Sequence, residues 1–60
     1  MDKQYLKEFC LAKIAEHPNL KSEITEYYFL AMDEMYDGGS VAHEVELAIN
    51  SINELINENK

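Results

Sequence analysis

The chain has 60 residues, with 12 acidic and five basic side chains, a net charge of −7 at pH 7 and 47% hydrophobic content. Such a chain is one small domain: too apolar for disorder, and able to bury only roughly 60% of the surface its unfolded form exposes. A single cysteine excludes an internal disulfide, and one Cys with two His gives no zinc-ligand spacing.

The first predicted helix covers residues 2–16. Asp2 is placed to cap its start, and Pro18 ends it. Leu6, Cys10 and Ile14 recur every four residues, flanked by Tyr5, Phe9, Leu11 and Ala12, which makes a broad apolar stripe.

A second helix is expected over residues 20–37, with Asn19 or Ser22 as its N-cap and Glu23 and Glu26 near the positive end of its dipole. Leu20, Ile24, Tyr27, Tyr28, Ala31 and Met35 share one face. Thr25, Phe29, Met32 and Tyr36 form a second seam with 4-3-4 spacing, leaving a narrow polar strip of Glu23, Glu26, Asp33, Glu34 and Asp37. A helix apolar over so much of its circumference has to be covered from two directions. The second seam is therefore the expected interface for a homodimer or another partner.

The third helix is expected over residues 40–57, starting at Ser40 as N-cap. Val41, Val45, Ala48, Ile52 and Leu55, together with Ala42, Ile49 and Ile56, give one wide core face. Leu47 falls on the opposite side, among His43, Asn50 and Glu54. The pattern as a whole predicts an all-α domain in which helices two and three form an antiparallel hairpin, completed as a homodimeric helical bundle.

Between the second and third helices lies Gly38-Gly39-Ser40. A phosphate loop needs GxxxxGK[ST], or GxGxxG after a strand; neither is present, and Asp37 would repel a phosphate. Helix-end rules account for all three residues: Gly38 in the left-handed position that ends one helix, Gly39 at the bend, and Ser40 capping the next. His43 with Asp37, Glu44 and Glu46 offers donors for a divalent metal or a small ligand. It supplies only one i,i+3 pair, whereas di-metal helical sites draw such motifs from two helices. The expected reading is a surface histidine with no metal and no cofactor. Cys10 sits among apolar residues, and His17 is two turns away, so a buried core thiol is expected rather than a nucleophile. No triad, nucleophile elbow or paired-carboxylate signature occurs, and the chain reads as a non-enzyme.

Charge is unevenly placed. Residues 1–21 carry four lysines against three acids, a net of +1, while residues 22–60 carry nine acids against Lys60 alone, a net of −8. Arginine is absent throughout, so direct nucleic-acid binding, which draws its affinity from cations neutralising phosphates, is not expected. The acids Glu23, Glu26, Asp33, Glu34, Asp37, Glu44 and Glu46 suit a basic protein partner or simple solubility. No apolar run reaches transmembrane length and the N-terminus mixes charges throughout, so a cytoplasmic protein that does not bind membranes is expected.

A short, acidic, lysine-only helical chain with one cysteine resembles the small accessory proteins encoded by bacteriophages and mobile elements. The stretch EMYDGGSVAHEVELAINSINELI is similar to those of phage proteins. That resemblance implies a protein of the bacterial host cytoplasm that binds and blocks a host enzyme, a nucleic-acid machine or a defence complex, in some members by mimicking DNA. It carries over no individual functional residue. A dimer of antiparallel helices also resembles the plasmid copy-control bundle, although that protein binds RNA through basic residues, where this chain presents an acidic surface. A structural or scaffold dimer is the alternative role, alongside the metal or small-ligand site at His43.

Overall fold

A computed structural model describes residues 2–59, in which three helices, α1 (Lys3–Glu16), α2 (Lys21–Tyr36) and α3 (Val41–Glu58), are joined by short connections. No strand occurs among the described residues. The all-α reading stands, and each helix boundary has a local cause.

Asp2 adopts extended backbone, and its carboxylate accepts a hydrogen bond from the Tyr5 amide at 2.9 Å, satisfying one of the free amides of α1. At the other end the His17 amide donates to the Lys13 carbonyl at 2.8 Å, and Lys13 places a cation in the last turn, where the dipole favours it. Pro18 has no amide to continue the helix.

Neither Asn19 nor Ser22 caps α2. Pro18–Leu20 forms a turn of 3₁₀-helix that runs directly into α2, with Leu20 at the N-cap position and no side-chain cap bond. The fixed φ of proline suits the first position of such a turn. The Leu20 amide donates to the His17 carbonyl at 2.9 Å and the Lys21 amide to the Pro18 carbonyl, so backbone bonding satisfies the first amide of α2 in place of a side-chain cap.

The corner after α2 is a Schellman motif. The Gly39 amide donates to the Glu34 carbonyl at 2.8 Å and the Gly38 amide to the Met35 carbonyl at 3.2 Å, with Gly38 in the left-handed region at φ +99°. Gly39 is needed for a different reason. A Cβ on it would lie 2.7 Å from the Glu34 carbonyl oxygen, so close approach, not φ, demands glycine there. Ser40 then accepts from the His43 amide at 3.4 Å, at the long end of a cap bond.

The core is wholly apolar. Leu6 and Cys10 of α1, Leu20, then Ile24, Ala31 and Met35 of α2, and Val45, Ala48 and Ile52 of α3 are buried together. Among the described residues no polar residue is buried, and no buried side-chain nitrogen or oxygen lacks a partner. Every helix packs on both others, α2 against α3 most extensively. Two sequence expectations narrow. Tyr5, Leu11 and Ala12 of the broad α1 stripe are exposed, leaving Phe9 and Ile14 as its flanking packers. Ala42, assigned to the core face of α3, is exposed as well. No described helix is long and apolar enough to cross a membrane.

Candidate partner-binding surface

The surface with most to bind is α2, because its two flanks are finished differently. One flank faces α1. There Thr25 and Tyr28 line a crevice with Lys7, Cys10, Leu11 and Ile14. Of the predicted seam, Thr25 is half-buried and Met32 packs against the core, whereas Phe29 and Tyr36 stand 59% and 92% exposed. The seam thus splits: two members are absorbed by the fold of a single chain, and two project outward. Phe29 is braced by an edge-to-face contact with Tyr28, with ring centroids 5.6 Å apart.

The other flank faces α3. Here Tyr27, Leu30 and Ala31 of α2 meet Leu47, Ala48 and Ser51 of α3 in a depression closed at one end by Glu34 and Glu44. Two further depressions adjoin it, one between Tyr27, Leu55, Glu54 and Glu58, the other between Tyr27, Leu30, Glu23 and Glu26. Tyr27 lines all three, so they form one groove along the α2/α3 seam. Its floor is apolar around Leu30 and Leu47, which are 53% and 46% exposed, and turns polar toward Glu54 and Glu58. Its walls are carboxylates on both sides, and none of its lining residues is a cation.

Leu30 belonged to neither apolar face assigned to α2 from the sequence. The signal was present: one leucine inside the strip of Glu23, Glu26, Asp33 and Glu34, opposite the core. Leu47 carried the matching signal on α3. Each looks like an ordinary exposed leucine alone, and only the packing of α2 on α3 sets them in one groove.

Of the seven acids singled out, Glu23, Glu26, Asp33, Glu34, Asp37 and Glu46 are exposed, and Glu44 is half-buried against the groove. Glu44 and Glu46 do not share a face, since residues two apart on a helix point about 200° apart. Asp33 and Glu26 occupy the outer surface of α2 between its two flanks, beside Phe29 and Leu30. The carboxylates have little internal employment: the only lysine–carboxylate ion pair among the described residues is Lys13–Glu16 at 3.5 Å, on α1. From α2 onward every acid except the half-buried Glu44 is exposed.

The remaining groups show no assembled chemistry. No three His, Cys, Asp or Glu side chains among the described residues come together as a metal-ligand set, and His43 is exposed one turn after its cap. Burial pushes the Cys10 thiol above its ordinary value of 9.0, which keeps it protonated at neutral pH and poorly nucleophilic. Comparison of the chain with protein-family models, with curated proteins and with solved structures gave no match.

Proposed function

We propose that this chain is a small, non-enzymatic binding protein that occludes a basic surface of a partner protein. Its size and charge fit an accessory protein of phage type working in the cytoplasm of a bacterial host. The observation that carries this reading is the outward-facing carboxylate surface of α2 and α3, unneutralised by any lysine or arginine from Ser22 to Asn59. Acids without internal partners are free to steer and hold a cationic surface. A partner surface that ordinarily holds nucleic acid would be blocked in the manner of a DNA mimic.

The opposite flank supports self-association. Phe29 and Tyr36 expose aromatic area on the α1 side of α2, where a second copy would bury it in a homodimeric helical bundle. In this reading α2 and α3 form an antiparallel hairpin. Support comes from the groove lining, where Glu34 sits with Glu44, Leu30 with Leu47, and Tyr27 with Leu55, so that falling numbers in α2 meet rising numbers in α3.

The test is affinity capture from bacterial lysate with the immobilised chain, eluted by a salt gradient, followed by an activity assay on the eluted protein. The expected result is a basic protein that elutes as ionic strength rises, is inhibited by the free chain and is released by competing DNA. Elution indifferent to salt would remove the electrostatic basis of the proposal.

A further inference from the structure

We infer that the α2/α3 groove is a docking site for one cationic amphipathic helix of a partner protein. The inference rests on the reading of the chain as a binder of basic proteins and specifies which part of the surface recognises which element.

The shape comes first. Leu30, Leu47 and Leu55 lie along the groove with Tyr27 at its centre, an apolar track between two helices. Glu44 to Glu58 mark its extent on α3, and the rise between them along the helix is about 21 Å, or four turns of an incoming helix. A helix laid in a groove of this kind inserts apolar side chains at i, i+3 or i+4, and i+7.

Charge then selects the occupant. Glu23, Glu26 and Glu34 flank the track on the α2 side, and Glu44, Glu54 and Glu58 on the α3 side. A helix with lysine or arginine on both borders of its apolar stripe would meet a carboxylate on either wall. A neutral or acidic helix would bury or crowd those carboxylates without compensation. A second copy is a poor fit by the same criterion. A two-fold pairing of this groove with itself sets six carboxylates against six. Docking α1 of another copy brings three lysines (Lys3, Lys7, Lys13) against two acids (Glu8, Glu16), a net charge of only +1 to set against six carboxylates.

The exposed positions of Leu30 and Leu47 allow the test to be made without touching the core. The probe is a fluorescein-labelled synthetic helix of about 18 residues, five turns, with leucines at i, i+3, i+4 and i+7 and lysines on both borders. Its control is a scrambled peptide of identical composition. Fluorescence anisotropy should show the amphipathic peptide binding at least about tenfold tighter than the scrambled one, and the charge-neutral double variant Leu30→Ser/Leu47→Ser removing that advantage, as expected for groove anchors. Glu34→Gln/Glu44→Gln should weaken binding severalfold and flatten its salt dependence, while Phe29→Ser on the other flank leaves it unchanged. Circular dichroism of each variant establishes that the helices persist.

Equal binding of both peptides, or full binding by the Leu30/Leu47 variant, overturns the groove. If that binding still weakens with salt, the broader acidic-surface reading survives alone. Absence of binding by either peptide, joined to salt-indifferent capture from lysate, removes both. Conversion of a wild-type dimer to monomer by Leu30→Ser/Leu47→Ser in sedimentation would assign the groove to a second copy and also overturn the inference.

Discussion

The two flanks of α2 both expose apolar side chains but differ in the charges beside them. Phe29 on the α1 side and Leu30 on the α3 side are each a little over half exposed. Phe29 lines a depression on the outer face of α2 with Lys21, Glu26 and Asp33, and the adjoining crevice between α1 and α2 includes Lys7. Leu30 borders that same outer-face depression, but on its α3 side the neighbours are Glu23, Glu26, Glu34 and Glu44, with no cation among the residues lining the α2/α3 groove. Apolar area alone says that a surface is adhesive. The charge beside it says to what, and on this helix it is the basis for the proposed division between a flank for a second copy and one for a basic partner.

The largest expected effect comes from removing what both flanks share. Ile24 and Ile52 are fully buried, and Ile24→Ala or Ile52→Ala should each cost about 2–5 kcal/mol. A 60-residue domain has only about 3–9 kcal/mol in hand, so thermal melts should show these variants partly or wholly unfolded, with both flanks lost. A sharp native melt from either one would contradict the packing described.

The corner offers a way to disturb one flank only. Gly39→Ala drives a Cβ into the Glu34 carbonyl, and Gly38→Ala forces a left-handed residue, a cost of about 1–2 kcal/mol for the latter. Denaturant titration should rank both below the core variants. Peptide binding in the groove should fall, because the Schellman bonds set how α3 leaves α2, while the oligomeric mass should hold. On the other flank, Asp2→Ala removes a well-formed cap and should cost about 1 kcal/mol, more than Ser40→Ala with its longer bond. Amide hydrogen exchange should localise the Asp2→Ala effect to the first turn of α1.

The smallest effect is the most specific to the α1 side. Because burial raises the Cys10 thiol above 9.0, the folded state holds a proton that the unfolded chain loses first. Its contribution to stability is therefore constant below about pH 9 and falls as pH rises beyond the unfolded value. Comparing wild type with Cys10→Ala should reveal that extra decline, since the lysines and tyrosines common to both titrate alike. In the native state the thiol should also react slowly with alkylating reagents and speed up in denaturant.

Much of this was legible in the residues. Three periodic stretches broken by Pro18 and by Gly38-Gly39 specify three helices, because a 3.6-residue pattern and a chain breaker are local properties. The Asp2 and Ser40 positions were legible for the same reason. The start of α2 was not: a cap rule looks for a side chain, and here backbone bonds of the 3₁₀ turn fill that place. Nor was the position of Leu30. Spacing tells which residues share a face, but the line along which α3 meets α2 is a tertiary fact, and it decides whether a leucine in an acidic strip is isolated or forms the floor of a groove. Ala42 illustrates the same limit at a margin, since its methyl could fall on either side of the core boundary until the neighbours are placed.

The division of labour on α2 is tested most directly by one paired measurement. Phe29→Asp and Leu30→Ser/Leu47→Ser are each examined by sedimentation for mass and by anisotropy for binding of the cationic amphipathic peptide. The account predicts a double dissociation: Phe29→Asp becomes monomeric and still binds the peptide, whereas Leu30→Ser/Leu47→Ser keeps the wild-type mass and loses it. Variants that lose both properties together, or an unchanged mass for Phe29→Asp against a dimeric wild type, would contradict it.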